Sequence, residues 1–174
     1  MISKPSPPFQ RTQAAELARR LAEPRRFLQV VAGPRQVGKT TLVQQVTETS
    51  GLHVVFATAD QPTLRGPDWV AQQWEAARLA IGRDGAILVL DEVQKAANWA
   101  ESVKRLWDED TRHKRPLKVV LLGSAPLLIQ RGLSESLAGR FEVLRMPHWS
   151  CAEMRTAFGF TLEQYLYYGA YPGA

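Results

Sequence analysis

Two glycines, a lysine and two threonines crowd into GPRQVGKTT, residues 33–41, directly after an apolar run. The spacing G-x-x-x-x-G-K-[ST] is that of a phosphate-binding loop. Glycines let the backbone wrap so that successive N–H groups face phosphate oxygens. A helix that begins near Gly38 adds the positive end of its dipole. Lys39 is then placed to bridge the β- and γ-phosphates of a nucleoside triphosphate, and the Thr40 hydroxyl to ligate Mg²⁺. Gly33, Pro34, Arg35, Gln36, Val37, Gly38, Lys39, Thr40 and Thr41 are therefore the candidate nucleotide-binding residues. Thr41 has a lesser role, and Arg35 could reach phosphate or a neighbouring chain. The plain alternative, a glycine turn without a ligand, fits the strand-to-helix setting poorly.

A second pair of groups stands about fifty residues downstream, where ILVLDE ends an apolar run on Asp91 and Glu92. Phosphate-loop proteins hold Mg²⁺ through an Asp at such a strand end. Asp91 and Thr40 are the candidate metal ligands. The adjacent Glu92 is placed to act on the water that attacks the γ-phosphate, as general base or orienter. A small-molecule kinase excludes water and has little use for such a base, so Glu92 favours hydrolysis over phosphoryl transfer to an alcohol. Solvated acids at a strand end are the bland alternative.

Two further residues complete the candidate catalytic set of Lys39, Glu92, Ser124 and Arg140. VVLLGSA ends a strand at Gly123-Ser124, where a hydroxyl can bond the attacking water or the γ-phosphate. SLAGRFEVLRM places Arg140 between a helix and the last strand, on a rim from which it can stabilise transition-state charge on a neighbour's phosphate. The competing readings are a turn serine and a surface arginine.

These groups need strands and helices in alternation, and the sequence supplies them. Apolar runs of strand length occupy residues 27–32, 52–58, 86–92, 117–125 and 140–146. Between them, helical periodicity predicts residues 10–22 with Ala14, Leu17, Ala18 and Leu21 on one stripe, 39–50 after the loop, and 67–81 with Val70, Trp74, Ala77 and Ile81 inward. Residues 98–110 place Trp99, Val103 and Leu106 on a core face, with a Glu101–Arg105 pair on another. A loop at 59–66 and a short helical region after the fourth strand are also expected. Two short helices, at 151–158 and 162–168, close the chain. Strands apolar on both faces and separated by helices predict an α/β fold with a parallel sheet between two helical layers. The Pro- and Ser-rich first eight residues read as disordered.

Composition narrows the class. With 174 residues, 45% of them hydrophobic and 22% charged, the chain fits one globular domain. No apolar run reaches the ~20 residues of a membrane span, and the first ten residues lack a signal core. Cys151 is the only cysteine, which excludes a disulfide framework and a cysteine metal site. A cytoplasmic location is expected. A net charge of +5 and a pI near 9.7 suit an anionic partner, whether nucleotide, nucleic acid or a membrane surface, with an ordinary basic surface as the plain alternative. The basic clusters, Arg19, Arg20, Arg25 and Arg26, then residues 112–115, lack interleaved aromatics and read as solvated faces.

In order and spacing, GPRQVGKTTL, ILVLDEVQK, LLGSA and LAGRFEVLRMP resemble the prokaryotic AAA-like ATP-binding proteins, and DQPTL and the closing YLYYGAYPGA are similar too. The resemblance implies a three-layer phosphate-loop NTPase with five parallel strands in the order 5-1-4-3-2. It makes Ser124 the sensor residue and Arg140 the arginine finger of a homo-oligomer. It divides the chain into an N-terminal tail and helix (1–26), a core (27–147) and the start of a helical lid or C-terminal extension (148–174). Relatives continue into an extra domain beyond the point where this sequence ends.

The leading expectation is a Mg²⁺-dependent ATPase that couples hydrolysis to rearrangement of a partner or attached domain. The runner-up is a switch that holds ATP or ADP with negligible turnover. A kinase lacks a visible acceptor pocket, and nucleic-acid binding would rest on charge alone. The guanine-reading Asn/Thr-Lys-x-Asp motif is not found, which leans the nucleotide towards ATP.

Overall fold

The computed structural model describes residues 9–60, 66, 68–124 and 136–173. Five strands, β1 (Leu28–Ala32), β2 (His53–Thr58), β3 (Ala86–Asp91), β4 (Leu117–Gly123) and β5 (Phe141–Arg145), form one sheet in the order β2-β3-β4-β1-β5. Every neighbouring pair is parallel. Read from the other edge, this is 5-1-4-3-2, the order the family resemblance implies.

The sheet is buried on both faces because its central strands are apolar at nearly every position, Gln29 of β1, Lys118 of β4 and the terminal Asp91 of β3 excepted. Along β4, Leu117, Val119 and Leu121 enter one core, while Val120 and Leu122 enter the other. That is the two-residue alternation of a strand with a hydrophobic layer on each side. One layer consists of α1 (Gln13–Ala22) and α2 (Lys39–Glu48), whose Leu17, Leu21, Leu42 and Val46 pack on Val31, Ile87 and Val89. The opposite layer consists of α3 (Trp69–Leu79) and α4 (Trp99–Arg112). Here Trp99, Val103 and Leu106 are buried, as the helical spacing predicts. A fully buried carboxylate ties the two helices together. Asp110 accepts from Trp74 Nε1 at 2.7 Å, Arg78 Nε at 2.9 Å and Arg115 Nη1 at 3.0 Å.

Three expectations need correction. Ala18 lies at the margin of the α1 stripe and is exposed. The Glu101–Arg105 pair does not form. Glu101 accepts the Ser136 hydroxyl instead, and an exposed i,i+4 pair at a few tenths of a kcal/mol is easily outcompeted. β2 is not buried on both faces: as an edge strand it leaves Val54 and Phe56 each 37% exposed. The expected tail, residues 61–65 of the loop, Ala125 and most of the helical region after β4 lie outside the described residues.

Two short helices follow β5: α5 (Cys151–Phe158) and α6 (Leu162–Tyr168). Each begins with a capping box, Ser150 with Glu153 and Thr161 with Gln164, so local hydrogen bonds rather than a core define their starts. Among the described residues no helix is long and apolar enough to cross a membrane. Because all five strands run the same way, the segments after β1, β3 and β4 emerge at one edge of the sheet. β1 and β4 are neighbours there although far apart in sequence, and such switch points are where open α/β sheets bind ligands.

Candidate functional site

The loop from Gly33 to Gly38 leaves β1 and enters α2. Two left-handed residues shape it, Gln36 (φ 60°) and Gly38 (φ 88°), and between them Val37 is fully buried and anchors the loop in the core. Gly33 is required by proximity. A Cβ there would lie 2.2 Å from the Met146 carbonyl oxygen, just beyond β5. Lys39 begins α2, and its Nζ donates to the carbonyls of Gly33 at 2.9 Å and Pro34 at 2.5 Å. Burial pushes its pKa down from the ordinary lysine value, and the nearby Glu92 and Asp91 carboxylates pull it back up.

The strand ends beside the loop carry the acids. The Thr40 hydroxyl donates to Asp91 Oδ2 at 2.9 Å, and the Glu92 backbone N–H donates to Oδ1 at 2.8 Å. Burial raises the Asp91 pKa, against the lowering effect of those two hydrogen bonds. Glu92 takes a left-handed φ of 52° that turns the chain into a single turn of 3-10 helix, Val93–Lys95. The turn brings Gln94 back, so Glu92 Oε2 accepts from Gln94 Nε2 at 2.6 Å and from Ser124 Oγ at 2.9 Å. Lys95 Nζ stands 3.7 Å from the same oxygen and pairs with Asp60.

These groups share one open cleft. Arg35, Gln36, Gly38, Lys39, Thr40 and Thr41 line one side, facing Asp91, Glu92 and Ser124 with Lys95 and Asp60. Sequence reasoning missed Gln94, Lys95 and Asp60. The only signal for the first two was their place immediately after the acidic pair. Arg140 is elsewhere. It precedes β5, at the sheet edge opposite the loop, where its backbone carbonyl accepts from Leu28 N–H. Its guanidinium grips Asp108 on α4 through two bonds, Nε–Oδ1 at 2.7 Å and Nη2–Oδ2 at 3.0 Å. That pairing holds the Asp108 carboxyl below the usual carboxylate range.

The residues fit a phosphate chain and Mg²⁺. A hydroxyl and a carboxylate 2.9 Å apart are hard oxygen donors at the mouth of a glycine loop. Mg²⁺ sites of this kind use one or two protein oxygens plus phosphates and water. Among the described residues there is no group of three or more His, Cys, Asp or Glu that could hold a metal alone.

An all-parallel sheet in this order, with a Gly-Lys-Thr loop at its switch point and an acidic pair on the strand two places away, defines a phosphate-loop NTPase. The chain belongs to the AAA domain family, whose model matches residues 25–155. Nucleotide binding is the general function that this membership supports. Among solved structures, the RuvB Holliday junction branch migration motor of Thermotoga maritima is similar. It is 21% identical, with a TM-score of 0.57 over 83% of this chain and 45% of that one. A single-residue variant of that motor matches to the same degree. The likeness is one of fold, and the chain spans less than half of the motor's length. No curated protein matches the chain at a significant level.

Proposed function

We propose that the chain is a Mg²⁺-dependent ATPase module that couples nucleotide state to rearrangement of a partner or of a C-terminal domain. The observation that carries this is the Thr40–Asp91 contact beside Lys39 and the Glu92–Ser124 pair, all in one cleft. Backbone N–H groups of the loop, Pro34 having none, hold the β-phosphate, and Lys39 leaves its two carbonyls to meet the β- and γ-phosphates. Thr40 and Asp91 hold Mg²⁺, which supplies charge neutralisation on the phosphate oxygens. Glu92 takes a proton from water as the water oxygen attacks the γ-phosphorus. The bond to the bridging oxygen breaks, and ADP leaves with the electron pair. Ser124 donates to Glu92 and so orients the carboxylate that meets the water.

Arg140 is proposed to act across a subunit contact. Its place at the far edge of the sheet is out of reach of its own loop, and an arginine supplied in trans is worth ~10³ or more in rate. Residues 148–174 are read as the start of a lid or extension, and the cytoplasm, where ATP and Mg²⁺ occur together, as the compartment. Nucleic acid is not favoured as a partner. Arg19 and Arg20 bond Glu16, and Arg25 bonds the Leu117 carbonyl and stacks 3.5 Å above Trp107.

One observation favours a switch with negligible turnover: Glu92 Oε2 is already engaged by Gln94 and Ser124. Phosphate release and titration calorimetry separate the two readings. An ATPase releases phosphate steadily, and Glu92→Gln keeps Mg·ATP affinity while losing on the order of 10²-fold or more in rate. A switch binds Mg·ATP with no release that depends on Glu92. Unchanged affinity in a folded Lys39→Ala variant would sink both.

A further inference from the structure

Arg11, just ahead of α1, is a buried cation outside the cleft: its side chain is 4% exposed. A charge removed from water to this extent needs partners on every side, and Arg11 draws them from three segments distant in sequence. Nη1 donates to the Val37 carbonyl of the phosphate loop at 3.2 Å and to the Pro147 carbonyl after β5 at 3.1 Å. Nε and Nη2 donate to the two oxygens of Glu153 on α5, at 3.1 and 3.3 Å. The guanidinium also lies 4.6 Å over the Trp149 ring. The chain of contacts continues, because Tyr165 of α6 donates its hydroxyl to the Trp149 carbonyl at 3.0 Å.

The Val37 carbonyl belongs to the same peptide plane as the Gly38 N–H. In a trans peptide the two groups point in opposite directions. With the carbonyl turned to Arg11, the N–H is turned the other way, and Gly38 lines the cleft. A guanidinium on the carbonyl polarises the peptide and strengthens its N–H as a donor, since hydrogen bonds in a chain reinforce one another. An anion on the N–H strengthens the carbonyl in return, and coupling of this kind is reciprocal.

We infer that Arg11 is a positioning residue that links anion capture at the Gly38 peptide to the seating of α5 and α6 through Glu153. The inference rests on the nucleotide-binding reading above and names its route to the C-terminal helices. Occupation of the loop tightens the Val37–Arg11 contact, which steadies the Arg11–Glu153 pair and the start of α5. Glu153 has a second task there, accepting the Ser150 N–H at 2.9 Å in the capping box. A glutamine can perform that capping task without the charge.

The test uses the whole chain with Mg·ADP as the probe, read by titration calorimetry and by amide hydrogen exchange of residues 151–168. In the wild type, Mg·ADP should slow exchange across α5 and α6. Arg11→Ala should weaken Mg·ADP binding about tenfold, the loss of one charge-assisted hydrogen bond, and abolish the exchange response. Arg11→Lys, a cation without the fork that reaches a carbonyl and a carboxylate together, should fall between the two. Glu153→Gln keeps the cap and the Val37 bond, so affinity should change by less than about threefold while the α5 and α6 response disappears. Wild-type affinity in Arg11→Ala, or an undiminished response in Glu153→Gln, overturns the inference. If Arg11→Ala does not fold, Glu153→Gln decides alone. A wild-type chain that binds Mg·ADP without any response in α5 and α6 overturns only this inference. A chain that binds no Mg·ADP removes the nucleotide reading and the inference with it.

Discussion

Gly33→Ala should destabilise the fold, for a reason independent of any nucleotide. The added Cβ would sit 2.2 Å from the Met146 carbonyl oxygen and 3.1 Å from its carbonyl carbon. A carbon–oxygen contact needs more than 3.0 Å, so the end of β1 and the segment after β5 must separate by about 1 Å. The bond most exposed to that movement is Met146 N–H to the Ala32 carbonyl, at 2.8 Å. Its loss removes about 0.5–1.5 kcal/mol of net hydrogen bonding and leaves buried groups unsatisfied at about 1–3 kcal/mol more. The expected sum is about 2–4 kcal/mol, or roughly 4–16 °C in Tm for a chain of this size. Urea unfolding followed by far-UV circular dichroism measures it, with Gly66→Ala as control. Gly66 has an ordinary φ, and no described residue places an atom within 4 Å of its Cβ position, so its substitution should cost little. Equal midpoints for the two variants at equal slope would refute the close-contact argument.

Two further predictions concern charge. Burial raises the folded-state pKa of Asp91, so its ionised form opposes folding above the ordinary carboxylate range, and that penalty fades as the pH falls through the raised value. Asp91→Asn should therefore melt at or above the wild-type temperature at pH 7 without nucleotide, the gap closing in acid, while Mg·ATP affinity falls. A clear drop in Tm at pH 7 would contradict the sign. For Arg140, hydrolysis per protomer should rise with protein concentration, and mixing Arg140→Ala with Glu92→Gln should restore part of the activity. A rate independent of concentration, with no rescue, would leave Arg140 as the structural partner of Asp108.

The legible parts of the sequence were those written locally. Gly33 to Thr41 is a contiguous motif, and Asp91 and Glu92 stand at the end of a strand whose apolar run is plain. The parts that escaped depend on approach between distant segments. Gly33 reads as a phosphate-wrapping residue, and nothing in its neighbours announces the Met146 carbonyl. Arg140 reads as a free rim charge, yet Asp108, on a helix thirty-two residues earlier, takes both arms of its guanidinium. Gln94 carries no charge and breaks no pattern, so only the left-handed turn at Glu92 shows why it reaches that carboxylate. Strand order is likewise invisible to periodicity. It came from family resemblance, and the pairing of β1 with β4 and β5 agrees with it.

That pairing also sets a timetable for synthesis. β1 has no hydrogen-bonded strand until β4 exists, and Gln29 waits for Val120, about ninety residues later in the chain. At roughly 5–20 residues per second on the ribosome, that interval is on the order of 5–18 s. Throughout it, a strand that is apolar but for Gln29 is available to wrong partners, while β2 and β3 can already pair. The strand that carries the phosphate loop is thus among the first made and among the last to be enclosed. Chaperone dependence during translation should therefore track the emergence of residues 117–123, not completion of the loop itself.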